Sequence, residues 1–180
     1  SLCNLLSSML LLIIVNRISG ESRGGFFALA YSTAQLLFSV GGFEIRPVQS
    51  TDIKNKFTFD QYFTSRMLNC IIMLICMIGY IVVNGYTGVE ALTVFWILGY
   101  RMVEAVADVY SGLFQQRERI DISGKEMLMR SGISTITFTI ILWLTDNLLY
   151  AAMTLTLTSL VIMLFYDLHM KKYFEPTPVH

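Results

Sequence analysis

The sequence has little charge, little proline and few of the residues that usually bind metals. Charged residues make up 14% of the 180 residues, whereas soluble domains carry about 25%. The 3 cysteines, Cys3, Cys70 and Cys76, all lie in apolar stretches, which argues against a disulfide framework and predicts buried, inert thiols. The 2 histidines, His169 and His180, have no partner at metal-ligand spacing. We therefore expect no metal site and no cofactor.

Two broad classes of function find no support in the residues. The formal net charge is +0 at pH 7 and there is no Lys/Arg-rich tract, so we expect no nucleic-acid partner. No glycine-rich phosphate loop is present and nothing marks a catalytic nucleophile, so we do not expect an enzyme.

The chain is rich in long apolar runs, with 54% hydrophobic residues. Runs such as IIMLICMIGYIVV do not alternate between apolar and polar residues, so they predict membrane helices rather than barrel strands. A bilayer core about 30 Å thick needs about 20 helical residues. We predict an all-α integral membrane domain over 1–170 and a polar tail over 171–180. The six predicted spans are about 2–18, 25–43, 66–83, 89–115, 127–145 and 148–168.

The basic residues predict how such a bundle is oriented. Three regions that share one side hold ten of the 13 lysines and arginines: the loop from 44 to 66, the loop after the fourth span, and the tail. Because basic residues concentrate on the cytoplasmic side, both ends of the bundle should be cytoplasmic. The chain starts with Ser1 inside an apolar segment, so we expect it to be a fragment of a longer protein.

Ionisable residues inside the fourth span are the sharpest feature. Arg101, Glu104, Asp108, Ser111 and Gln115 fall within an arc of roughly 80° on a helix. Charges at mid-membrane are costly, so this stripe should face a bundle interior or a watery cavity. Arg101 and Glu104 could form a structural ion pair. Asp108 then leaves excess negative charge in need of a partner, which favours a functional role.

Two further polar residues are candidates for binding. Gln35 shares a stripe of the second span with Ser32 and Ser39, and its amide is costly in lipid. Arg46 follows the second span, where it either binds an anionic headgroup or phosphate or extends its side chain to the interface. The segment FTFDQYFTSR predicts a short amphipathic stretch at the interface.

Three segments resemble oligosaccharide and O-antigen flippases of the Wzx type, in the MATE-like multidrug/oligosaccharidyl-lipid/polysaccharide exporter superfamily. They are IIVNRISGESRGGFFALAYSTAQLL, GGFEIRPVQSTDIKNKFTFDQYFTSR and GYRMVEAVADVYSGLFQQRERIDISGKEMLMR. The resemblance implies one six-helix lobe of a two-lobed transporter in a bacterial inner membrane, with the second helical lobe missing here. Positions that match the family pattern are Arg17, Arg46, Gln49, Ser50, Asp52, Arg101, Glu104, Asp108 and Gln115.

The implied activity is export of lipid-linked oligosaccharide (a polyprenyl-diphosphate sugar) by alternating access. Arg46, Arg101 and Gln35 would bind the substrate, and Glu104 and Asp108 would serve as a proton relay or as charge partners. Arginine suits phosphate because its planar fork of N–H groups meets two oxygens at once. Three alternatives stay open: a drug exporter of the same superfamily, a membrane-embedded enzyme, and a non-catalytic scaffold whose charges only pair helices.

Overall fold

The computed structural model describes residues 2–42, 57–116, 118–167 and 169–170, which form helices joined by short turns. No strand occurs in these ranges, so the all-α prediction is confirmed. Arg46 and the tail over 171–180 lie outside the described residues. The helices are α1 (Leu2–Gly42), α2 (Phe59–Val83), α3 (Gly88–Gln116), α4 (Ile120–Thr145) and α5 (Leu148–Ile162), followed by a π-helical turn (Met163–Asp167).

Helix α1 is broken at Gly20 into a first arm (2–19) and a second arm (21–42). Gly20 has φ 83° and ψ 171°, a backbone conformation that is essentially restricted to glycine. A Cβ placed on Gly24 would lie 3.2 Å from Cα of Asn16, although residues this far apart in one continuous helix are separated by about 12 Å. The two arms therefore fold back on each other, where the sequence predicts a turn between two spans.

Short turns make the later helices antiparallel to their neighbours along the chain. The connections are 84–87, 117–119 and 146–147. At the last of these turns the Asn147 side chain caps α5 by accepting a hydrogen bond from the Leu149 N–H at 3.0 Å. We call the end of the bundle that holds Phe59, Gln116 and Ile120 the basic end, and the opposite end the turn end.

Many large apolar side chains are exposed on the outside of the described helices, whereas several charged side chains are buried between them. Val83 is 86% exposed, Phe165 77% and Trp143 72%, while Arg101 is 1% exposed and Glu126 is fully buried. A protein in water shows the opposite arrangement, since its charged residues are almost never fully buried. The exterior is that of a chain whose solvent is apolar.

Three of the described helical stretches are long and apolar enough to cross a membrane. They are Phe59–Val83, Ile120–Thr145 and Leu148–Tyr166. Helix α3 is not among them, and it carries four charged residues, Glu90, Arg101, Glu104 and Asp108. The predicted number of six spans is therefore not confirmed by length and composition.

The fold-back of α1 predicts opposite effects at two adjacent glycines. In Gly24→Ala the new methyl group meets Asn16, so we expect a loss of about 1–3 kcal/mol in the free energy of unfolding. In the control Gly25→Ala the methyl group meets nothing within 4 Å, and alanine favours the helix by up to about 1 kcal/mol. Unfolding in mixed micelles, followed by circular dichroism, measures both. Equal values for the two variants would contradict the fold-back.

Candidate functional site

Helix α3 lies at the centre of the bundle, and the charged stripe of α3 is buried there. It contacts α1, α2, α4 and α5. Arg101, Glu104 and Ser111 are all nearly inaccessible, and Asp108 and Gln115 are half-buried. The prediction that this stripe faces the interior of a helix bundle is confirmed.

Arg101 and Glu104 form a buried ion pair through Nη1 and Oε2. The Tyr100 hydroxyl donates a hydrogen bond to Oε1 of the same carboxylate at 3.3 Å. The second arm of α1 contributes Tyr31, whose ring centroid lies 4.4 Å from the Arg101 Cζ. Both the carboxylate and the aromatic ring stabilise the cation, because a ring face attracts positive charge. The Arg101–Glu104 ion pair, which the sequence analysis gave as the structural alternative, is therefore present.

One edge of the Arg101 guanidinium has no partner in the described part of the chain. Nη1 meets Glu104, but Nε and Nη2 make no hydrogen bond although both are buried. These two atoms carry parallel N–H groups of the kind that bind two oxygens of a phosphate or carboxylate together. Since a buried donor without an acceptor is costly, this edge is the clearest binding feature in the bundle.

Asp108 has a partner that the sequence analysis did not assign to it. The Arg66 Nη2 of α2 lies 3.2 Å from its Oδ2, and the Arg66 side chain is only 3% exposed. The excess negative charge that the sequence suggested on α3 is therefore neutralised from the neighbouring helix. The sequence suggested a functional role for Asp108 because its charge had no partner, and the pairing with Arg66 removes that reason.

A third buried pair joins α3 to α4. Glu126 and Arg130 form an ion pair one turn apart on α4. The Ser111 hydroxyl of α3 donates a hydrogen bond to Glu126 Oε2 at 2.9 Å. Buried charges in this bundle are thus balanced by neighbours on three helices.

The sequence analysis missed Arg66, Glu126 and Arg130 as interior residues. It placed Arg66 and Arg130 among the basic residues of loops, but α2 begins at Phe59 and α4 at Ile120, about two turns earlier than the predicted spans. Both guanidinium groups are consequently buried in helices. The four-residue spacing of Glu126 and Arg130 was the available signal, because such residues are neighbours on a helix.

The remaining residues predicted to bind substrate or to match the family pattern lie in different places. Gln35 is half-buried on the second arm of α1, one turn beyond Tyr31, so it lies on the side that meets α3. Arg17 is exposed on the first arm. Arg46, with the family-pattern positions Gln49, Ser50 and Asp52, lies outside the described residues.

Three aromatic residues of FTFDQYFTSR, Phe59, Tyr62 and Phe63, pack inward at the start of α2, whereas Phe57 is exposed. Tyr62 is buried, and the ring centroids of Phe59 and Phe63 lie 5.4 Å and 6.3 Å from that of Tyr110 on α3. These contacts hold the basic end of α2 against α3 beside the Arg66–Asp108 pair. Anchoring of the segment at a membrane interface stays a prediction.

Comparison of the chain with family models, with curated proteins and with solved structures gave no match. The class of the protein therefore rests on its own features, which are an all-helical bundle with three helices able to span a membrane and a set of ion pairs buried inside.

Buried and exposed ion pairs should differ sharply in their effect on stability. Glu104→Gln leaves the enclosed Arg101 cation without a carboxylate, and we expect a loss of about 3–5 kcal/mol. The matched control is Asp121→Asn, which breaks the exposed pair of Arg119 and Asp121 and should leave stability nearly unchanged. Denaturation in mixed micelles compares the two variants. A Glu104→Gln variant as stable as the control would show that Arg101 does not need its partner.

Proposed function

We propose that this chain is one helical lobe of a transporter that moves lipid-linked oligosaccharide across a bacterial inner membrane by alternating access. The resemblance to Wzx-type flippases suggests the substrate, a polyprenyl-diphosphate sugar. Membrane lipids would cover the outside, and a second helical lobe would complete the path. In this proposal both ends of the six-span lobe are cytoplasmic.

The apolar exterior supports placement in a membrane. Large apolar side chains are exposed along every helix, including Leu36 on α1, Ile75 on α2, Phe95 on α3, Ile136 on α4 and Leu157 on α5. Soluble proteins rarely expose contiguous apolar surface of this extent. A continuous apolar coat around buried charges is what a bilayer requires, because lipid can neither hydrate an ion nor satisfy an open backbone.

The unpaired edge of Arg101 is the observation that carries the proposed substrate chemistry. A diphosphate offers several anionic oxygens, and the two free N–H groups of Arg101 fit a pair of them. Tyr31 contacts the guanidinium through its ring face and Glu104 pairs with Nη1, and together they fix the orientation of the group. Since Arg101 is enclosed in this conformation, the substrate would reach it only after α1 moves away from α3, as alternating access requires.

The carboxylates have separate roles in this proposal. Glu104 is shared by Arg101 and the Tyr100 hydroxyl, so it limits how tightly the site holds an anion. Asp108 is paired with Arg66 near the basic end, and its side chain is 20% exposed. It is the carboxylate of the stripe that a proton would reach first, and protonation would loosen α2 from α3.

Export should depend on the shape of the residue at 101 and not only on its charge. In the protein at its native length we expect Arg101→Ala to reduce export of lipid-linked sugar by about tenfold or more. Arg101→Lys should restore little, because an ammonium cannot donate two parallel hydrogen bonds. Arg119→Ala is the matched control, since Arg119 is exposed at the start of α4, where it pairs with Asp121 in the salt bridge described above. Undiminished export by Arg101→Ala would rule out the proposed site.

A scaffold is the second candidate, and the balanced ion pairs favour it. If the charges only hold helices together, replacing both members of a pair with apolar residues of similar size should be tolerated. The double variant Arg101→Met with Glu104→Leu separates the two functions. A transporter would keep its fold and lose export, whereas a scaffold would keep both its fold and its cellular role.

A further inference from the structure

Three buried side chains on α2 and α3 carry N–H donors that have no acceptor in the described part of the chain. They are Arg66 through Nε, Asn69 through Nδ2, and Arg101 through Nε and Nη2. The residues are 2%, 7% and 1% exposed. Ser134, Thr135 and Ser159 are also buried without a partner, but a hydroxyl can either donate or accept. Guanidinium and amide N–H groups only donate hydrogen bonds, so they favour a ligand that has acceptor oxygens.

The helix register places these donors in one row. Helices α2 and α3 are antiparallel, and Arg66 meets Asp108. Asn69, three residues further along α2, therefore comes to the level of Ala105 on α3, between the Arg66–Asp108 pair and the Arg101–Glu104 pair. Arg101 is about 10 Å beyond Asp108 along the α3 axis.

The second arm of α1 closes the third side of this row. It runs parallel to α3, since Phe26 lies beside Tyr86 and Tyr31 lies beside Arg101. Gln35 is one turn past Tyr31, or about 6 Å nearer the basic end along α1. Three helices thus enclose a seam that is rich in donors, which we name the donor seam: Gln35, Arg66, Asn69 and Arg101.

The carboxylates beside the seam leave these donors free. Glu104 is engaged by Arg101 Nη1 and by the Tyr100 hydroxyl. Asp108 receives Arg66 Nη2. Arg66 Nε, Asn69 Nδ2, and Arg101 Nε and Nη2 have no acceptor among the described residues, so they are available to a ligand.

We propose that Asn69 is a ligand-binding residue and that, together with Arg66 and Arg101, it binds a phosphate or diphosphate oxyanion in the donor seam. The inference rests on the proposed function and deepens it, because it places the anionic group between α1, α2 and α3, with Asn69 as the neutral donor between two arginines. The same chemistry is found in free diphosphate and in a phospholipid headgroup.

The proposal is tested by isothermal titration calorimetry. Inorganic pyrophosphate is titrated into the purified chain in neutral detergent, and its binding is measured directly. We expect Asn69→Leu to weaken binding by about tenfold, because a hydrogen bond to a charged ligand is lost. The stability of this variant should not fall, since it removes a buried donor that has no acceptor among the described residues. Asn84→Leu is the control, because it removes an amide from the opposite end of the same helix, where Asn84 Nδ2 donates to the Tyr80 carbonyl oxygen.

A second variant covers the case in which Asn69→Leu does not fold. Asn69→Asp keeps the shape of the side chain, removes its donors and adds a negative charge, so it should abolish pyrophosphate binding. If the unmodified chain binds neither pyrophosphate nor phosphate, water alone occupies the seam and the proposal is wrong. Equal binding by the unmodified chain, Asn69→Leu and Asn69→Asp would also overturn it.

Bilayer discs distinguish the two sources of the anion. Discs that contain phosphatidic acid should compete with pyrophosphate if the seam takes a lipid headgroup, whereas discs of phosphatidylcholine alone are the reference. Competition by phosphatidic acid identifies a headgroup, and its absence identifies a free or differently linked diphosphate. If pyrophosphate binding depends on Asn69 but the protein exports no lipid-linked sugar, the anion site in the donor seam is supported and the proposed flippase function is wrong. If Asn69→Leu changes neither export nor pyrophosphate binding, the proposed flippase function stands and the anion site in the donor seam is wrong.

Discussion

A buried guanidinium group keeps its charge among apolar side chains, so it needs a carboxylate nearby to offset the cost of burial, and in this bundle those carboxylates centre on α3. Arg101 finds Glu104 on α3 itself, Asp108 receives Arg66 from α2, and Ser111 bonds to Glu126, which also pairs with Arg130 on α4. Breaking any one pair leaves an uncompensated buried charge. The pairs therefore fix how α2 and α4 are placed against α3, and the packing of apolar residues follows from that placement.

The apolar exterior and the charged interior are two consequences of one solvent. In a bilayer apolar side chains gain little from burial, so helices associate through close packing and polar contacts. Gly99 of α3 is an example of close packing, since a Cβ placed on it would lie 3.2 Å from Thr156 Cγ2 on α5. The Thr156 hydroxyl is an example of a polar contact between helices, because it donates a hydrogen bond to the Trp96 carbonyl oxygen at 2.7 Å. Because lipid cannot accept a hydrogen bond in place of water, buried donors that have no acceptor among the described residues, as in Arg101 and Asn69, point to a ligand.

Helices and the burial of the α3 stripe could be predicted from the sequence, whereas the partners of that stripe could not. The turn at Gly20 and the polar face of Arg101, Glu104 and Asp108 follow from local spacing. The pairing of Asp108 with Arg66 depends on the register between two helices, which spacing along one chain does not contain. Arg66 was counted with the loop from 44 to 66 and was also the first residue of the predicted span 66–83. The helix begins earlier, at Phe59, and the polar residues Asp60, Gln61 and Thr64 in its first turns made that stretch resemble a loop.

Trp143 offers the most direct test of the claim that lipid surrounds this bundle. It is 72% exposed on α4, and the only other tryptophan of the chain, Trp96, is replaced in a Trp96→Phe variant. In bilayer discs made with lipids brominated on their acyl chains, the account predicts strong quenching of Trp143 fluorescence and weak quenching by acrylamide in the water. Strong quenching by acrylamide with no effect of bromine would contradict it, since the apolar exterior would then face water.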